Sequence, residues 1–294
     1  MPDIALPRST LLRRTWERIQ LLQTRWRYRG DRPWIVVHSL PRVGSIAVTR
    51  ALRRRFPDRH VFHLHYLNGE TIDEAYAGFT RHYLTTGRPG LHRHYRSSRI
   101  VRARLDRKAF GDWTIVSLVR DPVARSISAF FRHFPYNHPE LGGDFHGSPE
   151  NVGRLIDLFL DPAEREHSVT NGWFEREVND VFGVDVFSAP FPRDGYGQVH
   201  SCDAGRLIVL RLEDLGTSGP DALGRFFGTE PIELRRHNQA ADRAYAETYR
   251  RFLERLRLDD SYLDRAYGSR YARHFYDDEE RTRFRARWST VSEQ

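Results

Sequence analysis

The chain has 294 residues, 39% of them hydrophobic and 13% aromatic, enough for a large core in one α/β domain or two small ones. A net charge of +8 suits a polyanionic cofactor or substrate, nucleic acid or an acidic membrane surface. Cys202 is the only cysteine, which excludes a disulfide framework, a cysteine-based zinc site and a redox pair. No run of about 18 apolar residues marks a transmembrane helix, and no apolar block near the start reads as a signal peptide. The expectation is a soluble, cytoplasmic protein.

Residues 1–32 read as a basic helical extension. Leu12, Trp16, Ile19, Leu22 and Trp26 recur among arginines at roughly helical spacing. The plainer reading is a packing helix with a solvated arginine face, and the alternative is a helix lying on a membrane. Residues 33–294 read as one α/β domain. Trp34–Leu40 is an apolar strand, Pro41–Ser45 a tight basic turn, and Val48, Ala51, Leu52 and Phe56 mark a helix face. Val61–Leu67 alternates as a second strand. Ile72, Ala75, Tyr76, Phe79 and Tyr83 mark the next helix, and Gly87–Gly90 a turn. His92–Lys108 is arginine-dense: a helix with a solvated basic face, or a groove for an acidic acceptor.

Ile115–Val119 is a buried strand with Arg120 at its C-terminal end. Asp121 and Pro122 form an N-cap and a first helical residue. Val123, Ile127, Phe130, Phe131 and Phe134 take the core face of the helix that follows. Asp121, Arg125, Ser128 and Arg132 fall on another. A helix start offers N–H groups and partial positive charge to an anion. Pro135–Pro149 reads as a long loop, with a helix carrying Leu155, Ile156 and Phe159 beyond it. Trp173–Phe182 reads as a helix ended by Gly183, Phe191–Gln198 as a loop, and Leu207–Leu212 as a strand. Ala241–Leu258 reads as a long helix, and Asp277–Glu280 opens a last one. Alternating strands and helices predict a mostly parallel sheet with helices on both faces.

Two strand–turn–helix elements are therefore aimed at anions. The first, Pro41-Arg42-Val43-Gly44-Ser45, has the plan of a P-loop without its Gly-Lys signature. The second, Arg120-Asp121-Pro122-Val123-Ala124-Arg125-Ser126-Ile127-Ser128, matches R-[DN]-P-x-x-R-x-x-S. Together they resemble the sulfotransferases that use 3′-phosphoadenosine 5′-phosphosulfate (PAPS), and among these most closely the bacterial capsular polysaccharide synthesis family. That resemblance also rests on Trp173-Phe174 with Glu177, Phe182–Val186, Leu210–Leu215, and His274-Phe275-Tyr276 before Trp288.

The resemblance implies a P-loop-like three-layer fold, PAPS as co-substrate and no metal. It implies that Arg42, Val43, Gly44, Ser45 and Ile46 hold the 5′ phosphosulfate and that Arg120 and Ser128 hold the 3′ phosphate. It also implies an acceptor of the carbohydrate class. Two positions depart from the family pattern. Arg42 stands where the family has lysine, in a chain whose only lysine is Lys108, and Ile46 stands where it has serine or threonine.

Sulfuryl transfer needs cations at the departing phosphate, which Arg42 supplies, and a base for the acceptor proton. His65 is the candidate base, with His63 as rival on the same strand face. No HxxxH or carboxylate cluster has metal-ligand spacing. A P-loop nucleotide kinase is the alternative reading, against which the absent Gly-Lys weighs. A non-enzymatic nucleic-acid binder ranks lowest, because the arginines are scattered among 39 acidic residues with no recognition motif.

Overall fold

The computed structural model describes residues 10–86, 93–107, 112–142, 144–161, 172–235 and 244–289. Five strands form one mixed sheet: β1 (Trp34–His38), β2 (His60–Leu64), β3 (Trp113–Val119), β4 (Gln198–Cys202) and β5 (Gly205–Arg211). Their order is β2-β1-β3-β5-β4. The first four in that order run parallel, and β4 pairs antiparallel with β5 at the edge. Every residue of β1, β2 and β3 is buried. Strands buried on both faces must be covered on both, which explains their near-continuous apolar sequences.

Parallel strands need crossovers. Here α2 (Ser45–Arg55) links β1 to β2, and α3 (Gly69–Thr86) and α4 (Arg93–Leu105) lie between β2 and β3. After β3 come α5 (Pro122–Asn137), α6 (Val152–Leu160) and a helical stretch whose Glu175–Asn179 is a π turn. That stretch stops at Gly183, which adopts a left-handed conformation. Beyond β5 lie α7 (Gly219–Phe227), α8 (Ala246–Arg255), α9 (Asp260–Tyr267), α10 (Arg270–Phe275) and α11 (Asp278–Trp288). The fold is α/β. Ahead of the sheet, α1 (Thr10–Arg27) packs through Leu21 against Ile72 and Tyr95, with Tyr76 donating to Glu17, and it exposes Leu22 and Trp26.

Beside that small cluster under α1, two large apolar clusters are seen among the described residues. One surrounds the sheet. In the other the apolar face of α5 (Val123, Ile127, Phe131) meets Phe252, Tyr262 and Trp288 from the C-terminal helices. So α5 turns its apolar stripe away from the sheet cluster, and its polar face is largely covered too: Asp121, Arg125 and Ser128 are all buried. Of the polar set expected on that face, Arg132 alone is exposed.

Several boundaries differ from the sequence expectation. β2 stops at Leu64, so His65 lies just beyond it. Pro135 sits inside α5 and the helix runs on to Asn137; beyond it, Pro139–Leu141, Phe145–Gly147 and Pro149–Asn151 are 3-10 turns. The stretch after Gly197 is an edge strand, β4, where no strand was expected. The described part of the long helix is Ala246–Arg255. The Gly87–Gly90 turn lies outside the described residues. Among the described residues no helix is long and apolar enough to cross a membrane.

Strand order locates the site. From β1 the chain crosses to β2 on one side, then returns to β3 on the other. The connections leaving β1 and β3 thus diverge, and in open α/β sheets the crevice outside such strand ends is where ligands bind. Pro41–Ser45 and Arg120–Asp121 occupy those two strand ends.

Candidate anion-binding site

The β1–α2 connection is tightly constrained. Arg42 has φ 71°, and among the described residues it is the only non-glycine with positive φ. A left-handed L-residue costs about 1 kcal/mol, and such strain concentrates at ligand sites. Gly44 also has positive φ, and a Cβ there would meet Leu212 Cδ1 at 2.5 Å. The positive φ favours glycine there, and a larger residue would also have to push the Leu212 side chain aside. At α2's start the Ala47 N–H donates to the Gly44 carbonyl at 3.0 Å, while the N–H groups of Ser45 and Ile46 come too early in the helix for an intrahelical acceptor.

The two sequence elements meet here. Arg42 Nε donates to Ser128 Oγ at 3.0 Å, and Arg120 Nη1 donates to the Arg42 carbonyl at 3.1 Å. Burial pushes the Arg42 guanidinium below its ordinary pKa; Arg120 and Arg132 push the same way, against Tyr245 and Tyr249. Among the described residues no carboxylate forms an ion pair with Arg42, Arg120 or Arg132. A partly desolvated cation cluster at two helix starts has the charge and the geometry that suit an anion.

The corner between β3 and α5 is held from the C-terminal part of the chain. Asp121 caps α5, accepting from the N–H of Val123 at 2.9 Å and from Tyr267 Oη at 3.0 Å. Its own N–H donates to Glu213 Oε1 at 2.9 Å, and Tyr276 Oη donates to Glu213 Oε2. Tyr271 Oη accepts the Arg120 N–H and bonds the Arg120 carbonyl, each at 2.9 Å. Burial raises the pKa of both Asp121 and Glu213 against these bonds. The backbone that carries Arg120 is thus fixed from the C-terminal part of the chain.

Histidines line the same β1–α2 connection. His65 Nδ1 donates to the Ser39 carbonyl at 2.6 Å. His63 is buried, and its Nε2 is 2.8 Å from Ser45 Oγ. Burial, then His65 and His94, holds the His63 pKa well below the ordinary value, and Arg93 and Arg53 add to the effect. His94, on α4, donates Nδ1–H to the His63 carbonyl at 2.8 Å. His63, His65 and His94 bring one ligand atom each to within 4.8 Å of one another, a cluster that sequence spacing did not single out.

The segment after His65 is also fixed. Trp173 Nε1 donates to the His65 carbonyl, and Glu177 accepts from the N–H of Leu67 and Asn68 and from Thr71 Oγ1. Burial alone would raise the Glu177 carboxyl, but His38, Thr71 and Leu67 outweigh it and hold it low.

Of the residues expected to bind the co-substrate, the fold gathers Arg42, Arg120 and Ser128 directly and links Ser45 to His63. Val43 is fully buried in the sheet core, Gly44 shapes the turn, and Ile46 is half-buried in the first turn of α2. His65 reaches the connection at Ser39 rather than at Arg42. Sequence reasoning did not give roles to His94, Tyr267, Tyr271 or Tyr276. The last had a signal, His274-Phe275-Tyr276, and the others had none.

The chain is thus an α/β protein with a cationic cleft at its sheet's switch point. Residues 156–277 match the family described as "Putative capsular polysaccharide synthesis protein". The matched segment excludes both cation-bearing turns but contains Glu213, Tyr271 and Tyr276, which brace the β3–α5 corner, and Glu177, which fixes the segment after His65. No curated protein and no solved structure matches the chain.

Proposed function

We propose that this cleft binds PAPS and that the protein transfers its sulfuryl group to a hydroxyl or amine of an acceptor of the carbohydrate class. On this reading the sheet and its helices are the P-loop-like core of a sulfotransferase. The observation that carries the proposal is the joining of Arg42 to Ser128 and Arg120 across the β1/β3 switch point, with no carboxylate ion-paired to these arginines among the described residues. Arg42 and the start of α2 meet the 5′ phosphosulfate, and Arg120 and Ser128 meet the 3′ phosphate. The carbohydrate class is supported by the family match over residues 156–277.

In the transfer, the bond from sulfur to the 5′-phosphate oxygen breaks and a bond from sulfur to the acceptor atom forms. The departing phosphate gains charge, which Arg42 stabilises. The acceptor's proton goes to His65. The bond from Nδ1–H to the Ser39 carbonyl fixes that tautomer and makes Nε2 the basic nitrogen.

The test is release of adenosine 3′,5′-bisphosphate from PAPS, which water supports slowly without an acceptor. His65→Ala should lower turnover by about 10²–10⁴-fold and leave bisphosphate affinity nearly unchanged. Arg42→Ala should lower both, since its charge meets the ligand in the ground and transition states. Magnesium-dependent turnover of ATP with none of PAPS would overturn the reading in favour of a nucleotide kinase.

A further inference from the structure

The three imidazoles beside the cleft form nearly an equilateral triangle. Ring centroids are 5.0 Å apart for His63 and His65, 4.6 Å for His63 and His94, and 4.6 Å for His65 and His94. A tetrahedral zinc ion with nitrogens about 2.0–2.1 Å away holds its imidazole centroids about 5 Å apart. Each ring already has one nitrogen engaged with a protein oxygen: His65 with the Ser39 carbonyl, His94 with the His63 carbonyl, and His63 with Ser45 Oγ. This outer arrangement fixes tautomer and orientation in metal-ligating histidines.

We propose that His63, His65 and His94 bind a divalent transition metal of the zinc class, with a fourth position open beside the half-exposed His65. An all-imidazole set selects zinc, copper or nickel over magnesium and calcium, which prefer oxygen ligands. Arg93 and Arg53 act electrostatically on His63. They favour neutral imidazole, the ligand form, and work against a dication, so affinity is below that of a closed structural zinc site.

A metal on His65 takes that ring out of proton transfer. Resting on the function proposed above, the ion acts as an inhibitor that couples turnover to metal supply.

The experiment is a zinc titration of the full, chelator-stripped chain against a chromogenic competitor, followed by cobalt(II) substitution. The expected result is one equivalent of zinc per chain, removed by EDTA and not displaced by millimolar magnesium. Cobalt(II) should give the visible bands of a four-coordinate site. His94→Gln and His65→Gln, each checked for folding by circular dichroism, should each abolish the stoichiometric binding. His65 is half-exposed, so its variant is informative even if a substitution at a buried histidine fails to fold.

Absence of a one-equivalent site in the wild-type chain, or zinc binding unchanged in both variants, overturns the proposal. Zinc bound at one equivalent with no loss of bisphosphate release from PAPS instead overturns His65 as the base and leaves the metal site standing.

Discussion

Two neighbouring strands end in arginine, and the protein treats the two cations in opposite ways. Arg211 closes β5 and lies beside Val119, the last residue of β3. Its guanidinium meets Asp214 at 2.6 Å, Glu280 at 2.8 Å and the Phe275 carbonyl at 3.2 Å. Burial alone would lower its pKa, but Asp214 and Glu280 outweigh it and the group is raised. Arg120 follows β3 one residue later. Together with Arg42 it faces other cations and has no carboxylate ion pair among the described residues, and burial leaves the Arg42 guanidinium lowered. A cation held by internal carboxylates is part of the framework. Cations gathered without them store unfavourable energy that an anionic ligand relieves.

The largest expected effect is on the framework side. Arg211→Ala leaves two carboxylates facing each other in a mostly buried place and should cost about 3–5 kcal/mol of stability. Chemical denaturation monitored by circular dichroism measures it. A loss under about 1 kcal/mol would erase the distinction between the two arginines.

Arg120→Ala should show the reverse profile. Free-protein stability should change little, while adenosine 3′,5′-bisphosphate binds about 2–4 kcal/mol more weakly. Ser128→Ala, which removes a neutral hydroxyl, should cost about 1 kcal/mol in the same titration. Adenosine 5′-phosphate is the comparison ligand. If both variants weaken it equally, the two residues do not contact the 3′ phosphate.

The smallest effect concerns a ring among framework cations. Burial first, then Arg193 and Arg270, lowers the His274 pKa from 6.5 to about 4. Between those values the unfolded chain binds the proton and the folded chain does not. The stability linked to His274 is therefore complete above about pH 6.5 and lost as pH falls toward 4. His274→Gln should lose less Tm between pH 7 and pH 5 than the wild type. An identical pH profile would show that neither burial nor the arginines hold the ring's pKa down.

What the sequence disclosed was mostly local. The apolar runs of β1, β3 and β5, the Asp121-Pro122 start of α5 and the tight turn at Gly44 are each set within a few residues, by burial, capping and backbone freedom. β4 was not legible: Gln198–Cys202 is an edge strand buried on one side only, and it follows two glycines that read as loop. Pro135 marked a loop start, yet a proline in the last turn of a helix costs little when the C-terminal helices hold Phe131 and Phe134 in place.

Within the site, Arg42, Arg120 and Ser128 were readable because each sits on a strand-to-helix turn. His94 was not, since only the return of α4 against β2 brings it to His63. Glu213 and Tyr276 were visible as motif members, but the bonds that Glu213 accepts from Asp121 and Tyr276 are made by the fold alone.

The claim that the β1/β3 cleft is an anion site for a bisphosphorylated nucleotide is tested most directly by a thermal shift without magnesium. At a ligand concentration near 100 times its Kd, adenosine 3′,5′-bisphosphate should stabilise the folded chain by about 2.7 kcal/mol, a rise in Tm of about 5 °C or more. Arg120→Ala should remove most of that rise. No shift at millimolar bisphosphate, with a clear shift from ATP and magnesium, would contradict the account.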